Sequence, residues 1–160
     1  MDSFYYHMRR DHWRIAELPR FGYAFGRLLA HSIYSPDIPV VDPVTFATTA
    51  SWRVRSDFTP TFIPPPTLDE KEAVDKEAVN RRARAGGYIY KVLPDKVTGH
   101  YLVVILHKVP ESGPEKENGN VPHPMSVMEF DEKFQLVREE VYDDGTYTFG
   151  VMFPTSTGIL

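Results

Sequence analysis

Apolar and polar positions alternate most cleanly toward the C-terminal end of the chain. From Met125 to Phe153 (MSVMEFDEKFQLVREEVYDDGTYTFGVMF) the pattern predicts strand, turn, strand, turn, strand. Val127, Glu129 and Phe130 lead into the polar break Asp131-Glu132-Lys133, and Phe134, Leu136 and Val137 carry the chain back to Val141-Tyr142. Asp143-Asp144-Gly145 then supplies a hairpin turn, because Asp-Gly tolerates the positive φ such turns demand. Beyond it Tyr147, Phe149, Val151 and Phe153 alternate with Thr146, Thr148, Gly150 and Met152, giving one aromatic face. A sheet with so large an apolar face needs a covering layer.

Earlier segments read as that layer. After an aromatic arm (Phe4-Tyr5-Tyr6-His7) and a polar stretch around Trp13, Ile15 and Leu18, Pro19 suits the first position of a helix. Phe21, Ala24, Phe25, Leu28, Leu29 and Ile33 follow at helical spacing, flanked by Gly22 and Gly26, which lower the helix propensity, and ended by Ser35-Pro36. Asp37 to Pro43 is a proline-punctuated connection. Phe46 to Phe58 reads as a half-buried strand, with Trp52, Val54 and Phe58 on one side and Arg53, Arg55 and Asp57 on the other. Phe62-Ile63-Pro64-Pro65-Pro66 is a stiff spacer. Thr67 and Glu70 form a capping box for a helix that Gly86-Gly87 stops near Ala85. Tyr88 to Leu93 and Val97 to Val109 read as paired strands, the second a continuous apolar run expected to be covered on both faces. Glu111 to Pro124 is a loop rich in Gly, Pro, Glu, Lys and Asn.

One hundred and sixty residues fit a single domain with a sizeable core, here taken as 1–160 with 1–18 an N-terminal arm. A net charge of -4 argues against nucleic acid or an anionic membrane as the main partner. The chain has no cysteine, so disulfides, thiol chemistry and thiolate zinc sites are out. The six histidines (7, 12, 31, 100, 107 and 123) have no zinc-helix spacing, and neither a metal nor a cofactor is expected. No apolar run reaches membrane-spanning length and Met1-Asp2-Ser3 opens no secretory signal, so the expectation is a cytoplasmic protein without membrane contact.

Four pieces, ASWRV (Ala50 to Val54), TLDEKEAV (Thr67 to Val74), YLVVIL (Tyr101 to Leu106) and VMEFDEKFQLVREEVYDDG (Val127 to Gly145), resemble in order and spacing the NTF2-like α+β cone. That superfamily includes ketosteroid-isomerase-like and SnoaL-like polyketide-cyclase proteins. The resemblance spans roughly residues 19 to 153. It implies a curved antiparallel sheet wrapped around the N-terminal and middle helices, a homodimer, and a deep apolar pocket for a small hydrophobic, polyketide- or terpenoid-like molecule. Isomerisation, cyclisation or dehydration there would rest on one or two ionisable groups moved toward the working pH by desolvation.

Strand phase supplies the candidates. His107 shares a face with Tyr101, Val103 and Ile105 and reads as a pocket acid or base, against a structural strand-end histidine as the plainer reading. Asp57 reads as a proton-shuttling carboxylate or a solvated strand end. Tyr90, with Tyr88 and Tyr147, is placed to hydrogen-bond a substrate carbonyl; Trp52, Tyr101 and Phe149 read as pocket wall or core. Two alternatives stand beside the enzyme. One is a non-catalytic small-molecule-binding, dimerisation or protein-interaction module, chosen if side chains fill the interior. A remoter one, from FATTAS (Phe46 to Ser51), GGYIYKV (Gly86 to Val92) and Glu129, is faintly similar to toxin-type ADP-ribosyltransferases, although Thr48-Thr49-Ala50 is not Ser-Thr-Ser and Val127 stands where a paired Glu or Gln belongs.

Overall fold

The computed structural model describes residues 20–63, 85–108 and 124–142, and the backbone of 154–155 and 158–159. Every element named among them is a strand. Strands β1 (Arg20–Ala24), β2 (Arg27–His31), β3 (Asp37–Val41) and β4 (Thr48–Arg53) form one antiparallel meander, here sheet 1. Strands β5 (Tyr88–Pro94), β6 (Tyr101–Leu106), β7 (Met125–Phe130) and β8 (Leu136–Tyr142) form a second, sheet 2. A two-residue ladder joins β9 (Pro154–Thr155) and β10 (Gly158–Ile159). Consecutive four-stranded sheets packed on one another are the unit from which β-propellers are built.

The α+β cone is therefore corrected, and the ketosteroid-isomerase-like reading of the chain falls with it. The expected helix from Pro19 to Ile33 is a hairpin. Its apolar residues fit helical spacing, but Phe25 and Gly26 adopt φ of 51° and 77°, so the chain reverses in two residues between Ala24 and Arg27. Both central residues with positive φ make the turn whose twist matches paired strands. The pairing Phe21↔Ala30, Gly22↔Leu29 and Tyr23↔Leu28 then sends alternate side chains to opposite faces. Gly26 is the residue that decides: what lowers helix propensity here makes a turn.

The sequence pattern is closer to the structure in sheet 2. The expected strand over 88–93 is observed as β5, while the one over 97–109 is shorter, Tyr101–Leu106, with 96–99 a turn; all six residues of β6 are buried, as a strand covered on both faces requires. The expected reversal at 131–133 is present, with Asp131 Oδ1 accepting the Lys133 and Gln135 amides at 2.8 Å each. The strand expected over 46–58 is shorter, Thr48–Arg53, because Asp42 builds a turn through residue 47 before it. The capped helix after Thr67, the 1–18 arm, the 111–123 loop and the turn and strand after Tyr142 lie outside the described residues.

The two sheets meet face to face. Ala24, Leu29, Ile38, Val40 and Trp52 of sheet 1 bury against Ile89, Val92, Tyr101, Val103, Ile105, Met128 and Phe130 of sheet 2. Aromatic rings fill one end: Trp52 stacks on Phe134 (4.7 Å, 19°) and meets Phe130 edge-on (4.6 Å, 73°), while Phe25 meets Tyr101 edge-on (5.4 Å, 81°). Side chains of this size contribute about 1.5–3 kcal/mol each when fully buried. Sheet 2 buries its second face too, through Leu93, Leu102, Val104, Leu106 and Met125.

Candidate functional site

Sheet 1 does not bury its second face. Ala24 and Leu29 point into the core, so Phe21 and Tyr23, out of phase with Ala24, point away, and they are 63% and 65% exposed. Their cross-strand partners Ala30 and Leu28, and Val41 opposite Leu28, continue that face. Its far side carries the exposed ion pair of Arg53 with Asp37, two bonds of 2.8 Å. The β3–β4 turn borders it. Asp42 Oδ1 accepts the amides of Val44 (2.9 Å) and Thr45 (2.7 Å) and the Thr45 hydroxyl (3.0 Å), and those hydrogen bonds hold the Asp42 carboxyl below its usual range. The turn so fixed displays Val44 and Phe46, 83% and 73% exposed, the latter at a φ of 57° that bulky residues rarely adopt.

At the opposite end of sheet 1 the chain leaves β4 and runs over the rim of sheet 2. This 54–63 segment has little regular pairing of its own, so side chains anchor it. Ser56 Oγ donates to Glu139 Oε1 at 2.6 Å, and Ser126 Oγ donates to the same oxygen at 2.7 Å. Thr59 Oγ1 is hydrogen-bonded to His107 Nδ1. The Gly87 amide donates to Thr61 O (2.9 Å) and the Ile63 amide to Gly87 O (3.0 Å). Burial lowers the His107 pKa, with the Glu139 charge and a hydrogen bond with the Met125 backbone opposing it, so the ring is neutral near pH 7.

This wiring is that of a clamp. Catalysis by a hydroxyl needs the base on the nucleophile and the carboxylate behind the base. Here Glu139 accepts from both serines, and His107 meets a threonine. Among the described residues Trp52 and Tyr101, expected to wall a pocket, are core residues packed against rings. Tyr88 and Tyr90 pack on the other face of sheet 2, where burial raises the Tyr88 pKa. There Arg20 donates to Tyr90 O at 2.5 Å and lies 5.6 Å over its ring. The catalytic candidates are thus separated: His107 and Asp57 belong to the clamped rim and Tyr90 to the far face. Tyr147 and Phe149 lie outside the described residues.

Glu129, from the ADP-ribosyltransferase alternative, is held by His100 (2.6 Å) and Arg138 (2.5 Å), and these bonds keep its pKa below the usual range. It is paired across the ladder with Leu102, on the face of sheet 2 turned away from the FATTAS strand. Among the described residues no three His, Asp or Glu side chains gather in a way that holds a metal ion, and no helix is long and apolar enough to cross a membrane.

Sequence reasoning missed Ser126 and Glu139. A trace existed for the first: Ser126 shares strand phase with the core residues Met128 and Phe130, so it is a polar side chain on an apolar face.

No family model and no curated protein matches the chain. Its fold is similar to the crystal structure of a member of the DUF4221 family from Bacteroides vulgatus, with a TM-score of 0.55 and 13% identity over 79% of this chain and 34% of that one. At that identity the likeness concerns the fold alone, and this chain spans about a third of the DUF4221 member's length.

Proposed function

We propose that the chain is a non-catalytic interaction module, whose outer sheet 1 face packs against the same face of a second copy. The observation that carries this reading is the pair Phe21 and Tyr23, exposed at 63% and 65% on a sheet whose neighbour buries both faces along β6. Contiguous exposed apolar patches mark interfaces. The core position of Trp52 and Tyr101 and the clamp wiring of His107 and Glu139 favour recognition as the role.

A second copy suits the face for two reasons. Its cation and anion, Arg53 and Asp37, already neutralise each other, so two copies meet without net repulsion. The large Phe21 and Tyr23 on β1 also stand beside the smaller Ala30 and Leu28 on β2, a ridge next to a groove that interlocks across a two-fold axis.

Area sets the strength. Four strands about 4.8 Å apart and five residues of about 3.4 Å rise give a face of roughly 320 Å² in plan. The apolar turn enlarges it, yet it remains below the roughly 800 Å² per partner of a standard stable interface. A face of that size suits a weak, concentration-dependent pairing. Sedimentation equilibrium of the chain and of the double variant Phe21→Ser/Tyr23→Ser tests it. The expected result is a concentration-dependent dimer that the variant loses with its circular dichroism unchanged. A chain that stays monomeric at every concentration, or a dimer that survives the double substitution, refutes the proposal.

A further inference from the structure

We infer that the cleft beside the 54–63 segment binds a small zwitterion, an amino acid or short peptide with an apolar side chain. The cleft has a volume of about 580 Å³ and is lined by Arg53, Arg55, Asp57, Thr61 and the apolar Pro36 and Phe62, among others. Its charged groups differ in availability. Arg53 is taken by Asp37. Arg55 and Asp57 are exposed, and neither makes a hydrogen bond or ion pair among the described residues. They sit two residues apart on either side of Ser56, so the cleft offers one cation and one anion that do not satisfy each other.

The segment holding them is anchored to the rest of the fold at several points. Ser56 between them is tied to Glu139, Thr59 to His107, and the backbone at 61–63 to Gly87. A loop anchored by buried side chains presents its exposed groups at fixed separation, which lowers the ordering cost of binding. A purely anionic ligand would meet Arg55 but face Asp57, and a purely cationic one the reverse. A molecule carrying both a carboxylate and an ammonium satisfies both. Its carboxylate accepts from the Arg55 guanidinium, its ammonium donates to Asp57, and its apolar side chain lies against Pro36 and Phe62.

Isothermal titration calorimetry of the full chain with L-phenylalanine and with the dipeptide Leu-Phe tests this, with phenylacetate and phenethylamine as half-ligands. The expected result is saturable binding of the zwitterions. Removing either ligand charge, or introducing Arg55→Gln or Asp57→Asn, weakens it about tenfold or more. Both positions are exposed, so the variants keep the fold. No saturable binding of either zwitterion overturns the inference, as does binding that both substitutions leave unchanged. Phenylacetate binding as tightly as L-phenylalanine overturns the role of Asp57 and the zwitterion with it. None of these outcomes bears on the sheet 1 dimer, which is read by sedimentation.

Discussion

The tightest steric constraint in the clamp is at Gly87. A Cβ built there would meet Thr59 Cγ2 at clashing distance, Leu106 O at 2.6 Å and Thr59 Oγ1 at 2.9 Å. The backbone at Gly87 is not in the left-handed region, so what the position needs is room. Gly87→Ala forces either the Leu106 carbonyl at the end of β6 or the Thr59 side chain to move, and moving Thr59 disturbs its bond to His107. Overpacking of this kind costs about 2–3 kcal/mol. For a domain of this size that lowers Tm by about 6–9 °C. The methyl of Thr59 is one of the clashing atoms, so Thr59→Ser, which keeps the hydroxyl, relieves part of the strain. By itself Thr59→Ser loses about 0.8 kcal/mol of buried methyl. In a double-mutant cycle followed by urea denaturation, the two substitutions should couple favourably by about 1 kcal/mol. A Gly87→Ala protein whose Tm falls by less than about 2 °C would refute the packing argument. A cycle with no coupling would show that Leu106 O, and not the clamp, takes the whole strain.

Other perturbations separate the remaining contributions. Glu139→Ala leaves the Ser56 and Ser126 hydroxyls without their acceptor and should cost about 2 kcal/mol, with Glu139→Gln costing less, as read by chemical denaturation. Burial and the Arg20 guanidinium push the His31 pKa from 6.5 down to about 4. Between those values the unfolded chain binds more protons than the folded one, so stability should fall as pH drops through that window, by roughly 2–3 kcal/mol. The lowered pKa of His107 acts in the same direction. His31→Leu should flatten that dependence in urea titrations at successive pH values, and an unchanged slope would remove His31 as its source. Phe46→Gly should be neutral or stabilising by up to about 1 kcal/mol in chemical denaturation, because it relieves a positive φ at an exposed ring. Phe134→Gly relieves a similar φ of 62° but loses the stack on Trp52, so in the same assay it should destabilise by about 2 kcal/mol or more.

How legible the fold is in the sequence depends on which signal each segment carries. The run Tyr101 to Leu106 and the alternation from Met125 to Tyr142 announce sheet 2, because a period of two and an unbroken apolar run between turn signals both favour strands over helices. Sheet 1 is ambiguous at its first hairpin. Phe21, Ala24, Phe25, Leu28 and Leu29 satisfy a helical stripe and a two-faced hairpin equally, and only the turn at Phe25-Gly26 separates them. Read as a helix, that segment invites the resemblance to a cone, which needs helices; read as a hairpin, it removes it. Strand phase puts Tyr101, Val103 and Ile105 together on the core face of β6, and His107 follows just past the end of that strand. The partner of His107 is beyond reach, since Thr59 lies 48 positions earlier and no local pattern encodes so distant a pairing. Glu139 meets Ser56 across 83 positions and is hidden for the same reason.

The two meanders share almost no main-chain ladder. Among the described residues they are joined by interdigitated side chains, by the parallel bridge between Phe62 and Gly87, and by a few bonds such as Arg27 Nη1 to Glu132 O at 3.0 Å. Hydrogen bonds loaded along a strand share force, whereas a side-chain seam yields row by row. Pulled apart, the protein should therefore open along the plane between its layers at low force, with each meander still intact, and afterwards unravel strand by strand at higher force. The seam is the mechanical fuse of the molecule.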